Sequence, residues 1–234
     1  MNRPKTIFCD LDGTLVYHEK NLSIISNPEH TLRLLPGTSD VIKKWDEKSY
    51  WVVITTGRKE SLRYATERQL RNAGIVYSEL IMGFGGGLRI LLNDKKQDGR
   101  NAVRAVSMNR DEGLDNVCFD DIEMISKKYF ETWENKDLVE LSRLFSKEIS
   151  IEDWNGSCNG IDEAIHFNKN IFEEINSLRV DIEDLYTVTN TVVAKINIFA
   201  DGVSVPVVDI VEFDNEGKIK SIKAYRGNWY AWNV

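Results

Sequence analysis

The chain has 234 residues, of which 42% are hydrophobic and 29% charged, with a net charge of −7. This composition excludes a disordered or fibrous protein, and the length corresponds to one or two domains. No apolar run approaches the roughly 18 residues that cross a membrane, and the short apolar stretch near the start is not typical of a signal peptide. Three widely spaced cysteines without zinc or redox spacing predict reduced thiols in a cytoplasmic protein.

The charge is unevenly distributed along the chain. Residues 1–112 hold 18 Lys and Arg against 14 Asp and Glu, whereas residues 113–234 hold 12 against 23. This asymmetry predicts two units with different tasks. Because neither half contains a run of five like charges, we expect no binding to nucleic acids or membranes.

The first half alternates strand and helix signals. Short apolar runs predict strands that end near Asp10, Thr56 and Asp94; they are Thr6–Cys9, Trp51–Ile54 and Ile90–Leu92. Helical patterns follow Leu35–Thr38 and cover residues 59–73. Apolar strands separated by helices predict a parallel sheet covered on both faces, with ligands beyond the carboxyl ends of its strands.

The pattern of the second half changes near residue 115. Helical spacing covers about residues 122–133, 138–145 and 161–175, with a short strand at 149–151. Four strands then follow, at 179–188, 191–200, 203–213 and 218–226. Helices followed by an antiparallel sheet predict an α+β domain. We therefore predict domains over 1–114 and 115–234.

Two carboxylates stand together in Asp10-Leu11-Asp12-Gly13-Thr14, directly after a predicted buried strand. Like charges this close repel each other unless a cation lies between them. The motif suits a carboxylate nucleophile, a second carboxyl group as general acid and base, and Mg²⁺. An ordinary Asx turn is the alternative.

Two further motifs follow strand signals. The hydroxyl of Thr56 and the backbone around Gly57 suit a phosphate oxygen, whereas Asp94 and Asp98 add carboxylates four residues apart. Taken singly, the first is an ordinary turn and the second a solvated loop. Their order along the chain makes the set specific.

Residues 5–112 resemble the haloacid dehalogenase superfamily of phosphatases, which have a Rossmannoid parallel sheet. The resemblance implies that Asp10 forms an aspartyl-phosphate and that Asp12 protonates the leaving group and then activates water. It implies a Mg²⁺ site made by Asp10, Asp94, the backbone carbonyl of Asp12 and the acidic motif that includes Asp98. Phosphate binding would involve Thr56, Gly57 and a cation, for which Arg89 and Lys59 are the candidates.

Two stretches resemble a narrower group, the small capless phosphatases found with capsular polysaccharide biosynthesis. These stretches are Thr56–Glu60 and Ile81–Lys96. The segment between Asp12 and Thr56 is too short for a full cap domain. The implied substrate is a small phosphorylated compound such as a sugar phosphate. An uncapped site suits a large substrate or a lid supplied from elsewhere.

Three polar residues of the second half form another candidate set. Asp209 alternates with Val207 and Val211, so it shares a strand face with them and is a candidate for a raised pKa. Asp153 closes a short strand, and Tyr129 lies on the first helix. Singly, each has an ordinary interpretation: a paired Asp209, a turn cap at Asp153 and a core tyrosine.

Residues 119–230 resemble the ketosteroid isomerase and SnoaL-like group, which are cone-shaped folds of helices on a curved sheet. Asp153 falls on that family's general base, whereas Tyr129 and Asp209 fall on its two oxyanion donors. The resemblance also implies a homodimer formed through this domain. The same fold also serves as a ligand-binding pocket, so the resemblance implies either an isomerase-like or a ligand-binding domain.

The sequence thus predicts a cytoplasmic bifunctional protein, a Mg²⁺-dependent phosphomonoester hydrolase fused to an isomerase-like or ligand-binding domain. One alternative is that the phosphatase half acts alone, with the second half as a lid or dimerisation module. The other is a non-catalytic binder, which the intact set Asp10, Asp12 and Asp94 disfavours.

Overall fold

A computed structural model describes residues 4–94 and 102–227. The chain divides into two units. The first comprises residues up to 103 together with 107–116, and the second comprises 104–106 together with 117 onwards. Within the described ranges, no helix is long and apolar enough to cross a membrane.

The first unit is built on a three-stranded parallel sheet. Its strands are β1 (Thr6–Asp10), β2 (Trp51–Thr55) and β3 (Glu79–Ile81), with β2 in the middle. The last four residues of β2 are buried, as expected for an apolar, β-branched central strand. The register pairs Asp10 with Thr55, so the carboxyl ends of β1 and β2 lie side by side.

Three helices and a 3-10 turn accompany this sheet. They are α1 (Leu22–Ile25), α2 (Thr38–Glu47), the turn Glu60–Leu62 and α3 (Arg63–Asn72). Helix α2 follows Gly37, whose φ of 77° favours glycine, and it buries Val41, Ile42 and Trp45 at helical spacing. In place of the single helix predicted over 59–73, the structure has the 3-10 turn Glu60–Leu62 followed directly by α3.

The strand predicted at Ile90–Leu92 is wrong. Residues 88–94 are irregular, and Leu88, Ile90 and Leu92 are 90%, 75% and 88% exposed. A short apolar run does not distinguish a strand from other structure, because a strand also needs a neighbour with which to pair. Asp94 therefore does not follow a strand end, and the predicted alignment of three strand ends reduces to two.

The second unit combines three helices with a six-stranded sheet. The helices are α4 (Ile122–Glu134), α5 (Leu138–Leu144) and α6 (Ile161–Glu174). The strands are β4 (Phe145–Asp153), β5 (Gly156–Asn159), β6 (Leu178–Val188), β7 (Thr191–Ala200), β8 (Val203–Phe213) and β9 (Ile219–Arg226). The predicted strand at 149–151 is the centre of the longer β4, and β5 was not predicted.

The strand order is β5-β4-β9-β8-β7-β6, and all neighbours are antiparallel except β4 and β9. One face of the sheet is apolar and belongs to the core, to which α4, α5 and α6 also contribute. We call it the inner face. Tyr129 and Phe130 of α4 lie in this core together with Val207 and Val211 of β8. The predicted α+β architecture is confirmed for this unit.

Candidate functional site

Asp209 is a buried acid on the inner face of the second unit's sheet. Its cross-strand neighbours are Ala194 on β7 and Ala224 on β9, and Val207 and Val211 flank it along β8. The residue is 5% exposed, and its Oδ1 atom has no hydrogen-bond partner in the described part of the chain. Burial, followed by repulsion from Asp153, raises the pKa of Asp209 to about 7.

Tyr129 projects from α4 into the same region. Its ring packs against Phe130 and Phe145 with centroid distances of 4.9 and 6.2 Å. Burial, and then the charges of Asp209 and Asp153, raise the pKa of Tyr129 well above its usual value. The phenol is therefore a protonated donor at neutral pH.

Asp153 ends β4 and is held by the turn that follows it. Its Oδ1 accepts hydrogen bonds from the backbone N–H groups of Asn155 at 2.6 Å and Gly156 at 3.1 Å. Unlike Asp209, Asp153 is partly exposed. The turn fixes the direction of this carboxylate without burying it.

The structure places the three predicted residues close together. The charges of Asp153 and Asp209 raise the pKa of Tyr129, and the charge of Asp153 raises that of Asp209. Ile151 pairs with Ile222, so Asp153 lies beside Ala224 on the inner face, one strand further from Asp209. With about 4.8 Å between neighbouring strands, the two acid backbones lie roughly 10 Å apart, separated by a small alanine. A partly exposed carboxylate, a buried acid and a buried phenol thus lie near one another on the inner face.

Asp10 of the first unit forms an ion pair with Arg89. The Arg89 Nη2 atom donates to Asp10 Oδ1 at 2.9 Å, and its Nη1 atom donates to the Thr55 hydroxyl at 3.3 Å. Both side chains are partly exposed. The structure therefore places Arg89, one of two candidates for the phosphate-binding cation, beside the predicted nucleophile.

Asp12 is instead enclosed by donors. The Arg58 Nη2 and Nε atoms donate to it at 2.7 and 2.9 Å, and the Thr56 hydroxyl donates at 3.2 Å. The Arg58 side chain is only 4% exposed. In this arrangement the Asp12 carboxylate is held by Arg58 and Thr56, and the Thr56 hydroxyl also accepts a hydrogen bond from the backbone N–H of Arg58 at 3.2 Å. The predicted phosphate-binding residue Gly57 lies against the carbonyl of Phe84.

Arg58 was not among the predicted site residues. Its Nη1 atom donates to Gln69 at 2.7 Å, and Gln69 donates to the carbonyls of Ile24, Ile25 and Asn27. Its position in Thr56-Gly57-Arg58, directly after a buried strand, is the signal that could have identified it.

The predicted Mg²⁺ ligands do not come together in the described residues. Within 4–94 and 102–227, no group of three or more His, Cys, Asp or Glu side chains is arranged to hold a metal ion. Asp10 and Asp12 each face an arginine, and Asp94 is exposed on an irregular segment. Asp98 lies outside the described residues. These contacts show no assembled Mg²⁺ site among the described residues, and Mg²⁺ binding stays a prediction.

The second unit is an α+β domain with two acids, Asp153 and Asp209, on its inner face. Residues 127–222 match the family model of the SnoaL-like domain. This unit therefore contains a SnoaL-like domain, and the match includes Tyr129, Asp153 and Asp209. The haloacid dehalogenase resemblance of the first unit stays a prediction.

Solved structures similar to the chain include a candidate ketosteroid isomerase of Kribbella flavida, which is 15% identical over 47% of this chain and 79% of its own, with a TM-score of 0.42. An NTF2-like protein of unknown function from Cytophaga hutchinsonii is 11% identical over 45% and 89%, with a TM-score of 0.40. A SnoaL-like protein of unknown function from Burkholderia thailandensis is 10% identical over 48% and 99%, with a TM-score of 0.42. No curated protein matches the chain.

Proposed function

We propose that the SnoaL-like domain removes a proton from a carbon atom next to a carbonyl group. Asp153 is the base, and Tyr129 and protonated Asp209 donate hydrogen bonds to the oxygen of the resulting enolate. The observation that carries this proposal is the buried Oδ1 atom of Asp209, which has no partner in the described part of the chain.

A buried acid without a partner is costly for stability, since a desolvated polar atom loses its hydrogen bonds to water. Such a group is useful where a ligand supplies the missing partner. A neutral carboxyl group and a phenol donate most strongly to an oxygen that gains negative charge, so they stabilise the transition state more than the ground state.

Exchange of carbon-bound protons in D₂O tests this proposal. We would follow a panel of β,γ-unsaturated ketones and β-keto esters by proton NMR with the wild-type chain and the variants D153N, Y129F and D209L. D153N should abolish exchange because it removes the base. Y129F and D209L should each slow it about 10²- to 10³-fold, the usual effect of losing one oxyanion donor.

Two further variants control this experiment. D209N restores a donor in place of the acid, so it should retain more activity than D209L and lose the dependence on pH near 7. D181N changes an exposed acid of β6 that pairs with Arg179, and it should leave exchange unchanged. If no compound of the panel exchanges, or if D153N exchanges as fast as wild type, the proposal is wrong.

Phosphoryl transfer is our second candidate, for the first unit. The observation that favours it is Arg89 beside a partly exposed Asp10 at the end of β1. Such a pair could receive a small phosphorylated substrate such as a sugar phosphate. For Asp12 to protonate a leaving group, it must first exchange its contacts with Arg58 for contacts with the substrate.

Hydrolysis of p-nitrophenyl phosphate and of a panel of sugar phosphates, with Mg²⁺ or with EDTA, tests this candidate. The variant D10N should abolish turnover with the fold intact, because an amide is a poor nucleophile. Unchanged turnover in D10N, or no effect of EDTA, would rule out the predicted Mg²⁺-dependent mechanism.

The remaining parts of the proposal concern the location and the oligomeric state of the protein. We propose a cytoplasmic protein that forms a homodimer through the SnoaL-like domain. If neither activity is found, the alternatives are a ligand-binding cone or a lid and dimerisation module for the first unit. Sedimentation of the full chain distinguishes a dimer from a monomer.

A further inference from the structure

The inner face of the sheet carries charge in one small area. Three adjacent rows of paired residues surround Asp209 there. The first row contains Thr187, Val192, Val211, Ile222 and Ile151; the second Leu185, Ala194, Asp209, Ala224 and Asp153; the third Ile182, Ile196, Val207 and Arg226. Within these rows the charged residues are two acids and one arginine, and the other side chains are aliphatic apart from one threonine.

Arg226 is the basic member of this group. It is the last residue of β9, it pairs with Val207, and the Gly227 N–H fixes the strand end by donating to the Pro206 carbonyl at 2.8 Å. Arg226 and Asp209 are diagonal neighbours, with α-carbons typically about 7–8 Å apart. Because Arg226 follows Ala224 by two residues, it lies on the inner face at the exposed end of the strand.

Arg226 makes no ion pair or side-chain hydrogen bond within the described residues. Other cations of this sheet do form pairs: Lys223 with Glu152 at 3.4 Å, and Lys195 with Glu183 at 2.6 Å. Arg226 also has two acids on its own face, and it binds neither. The guanidinium group is therefore available to a ligand that occupies the inner face.

We infer that Arg226 is a specificity-determining residue, and that the substrate of the SnoaL-like domain is a carbonyl compound bearing a carboxylate or phosphate group a few bonds from its carbonyl. This inference rests on the proposed function, which places the carbonyl oxygen at Tyr129 and Asp209. A guanidinium group presents a planar fork of donors that matches either anion. Without Arg226, the negative charge of Asp153 would repel an anionic substrate.

Binding of phenols tests this inference without turnover, since a phenol oxygen resembles an enolate oxygen. The probes are 4-hydroxyphenylacetate and its neutral counterpart 4-hydroxyphenylacetamide, titrated into the full chain by calorimetry. Wild type should bind the carboxylate about tenfold more tightly, the usual scale of one charge-assisted hydrogen bond. R226Q should remove this preference, and R226K should restore part of it. A third probe, 4-hydroxybenzylphosphonate, shows by its affinity which anion the site prefers.

The matched control is K223Q, which removes the same charge from the opposite face of β9. This variant should keep the preference, which excludes a general effect of net charge. The inference is overturned if wild type binds the anionic and neutral probes with equal affinity, or if R226Q keeps the preference for the anionic probe. Either result leaves the proposed function intact. If wild type binds none of the probes, or if Y129F and D209L bind them as well as wild type, the proposed function itself fails and the inference fails with it.

Discussion

Asp209 owes its chemistry to the small residues around it. Ala194 and Ala224 flank it across the sheet, so no neighbouring side chain on either strand reaches its carboxyl group with a donor. The alternation of Val207, Asp209 and Val211 predicts its inward direction, because a strand repeats every two residues. The identity of its cross-strand neighbours depends on register, which the sequence of one strand does not reveal.

The burial of Asp209 predicts a pH dependence of stability. Its pKa is about 7 in the folded state, whereas the ordinary value for an aspartate is 3.8, so between these values the folded state holds a proton that the unfolded state releases. The free energy of unfolding should therefore fall as pH rises from about 4 to about 7, by at most about 4 kcal/mol, and then level off.

Urea unfolding of wild type and D209N at several pH values measures this effect. The difference in unfolding free energy between the two proteins should shift in favour of D209N as pH rises through this window, because the amide does not ionise. D181N, at an exposed site, should follow wild type. A wild-type minus D209N difference that stays constant from pH 4 to 8 would contradict the raised pKa.

Arg58 illustrates what the sequence leaves undetermined at the residue scale. The motif Asp10-Leu11-Asp12 could be recognised from its spacing, but its partner lies 46 residues away from Asp12. Whether Asp12 faces a metal, a substrate or an arginine depends on how β1 and β2 bring their following loops together. Local patterns contain no information on that choice.

At the scale of elements, periodic signals were more informative than isolated runs. Helix α4 and strands β6–β9 have repeated apolar spacing over eight or more residues, and each lies close to its predicted position. Strand β5 covers Gly156–Asn159 and has no such spacing, so it was missed. Ile90–Leu92 has apolar residues but no periodicity, and its exposure shows that apolar content alone does not make a strand.

This correction predicts contrasting effects of two leucines. Leu92 is 88% exposed, so L92Q should change the unfolding free energy of the first unit by less than about 0.5 kcal/mol. Leu80 of β3 is 7% exposed, and L80A should cost about 2–5 kcal/mol because it leaves a cavity. Urea unfolding of both variants checks this, and a loss of several kcal/mol in L92Q would indicate that residues 88–92 belong to the core.

At the scale of the whole molecule, the division into units does not follow the chain in a simple way. Residues 104–106 belong to the second unit, whereas 107–116 return to the first. Composition and pattern predict a single boundary between residues 114 and 115. In the structure the chain instead passes between the units after residues 103, 106 and 116. Composition averages over many residues, whereas a three-residue crossing depends on the local path of the backbone.

Arg104 is the first residue of this crossing, and it leads to our last prediction. It donates to the carbonyls of Asp120 at 2.7 Å and Cys118 at 2.8 Å, just before α4, and to the carbonyl of Thr189 in the turn between β6 and β7. One guanidinium group thus links the segment before α4 with the hairpin formed by β6 and β7. Partly buried carbonyls that lose a charged donor destabilise a fold by roughly 1.5–3 kcal/mol.

A fragment over 102–234 should therefore be more stable than one over 115–234, by roughly 2 kcal/mol or more. Substitution R104Q should remove the advantage of the longer fragment, and the same substitution should destabilise the second unit of the full chain by a similar amount. Urea unfolding followed by circular dichroism measures the two fragments, the longer fragment with R104Q, and the full chain with and without R104Q. As a control, R110Q changes a residue of the first unit and should leave the second unit unaffected. Equal stability of the two fragments would show that Arg104 does not secure this unit, and that its three hydrogen bonds are replaced by water at no cost.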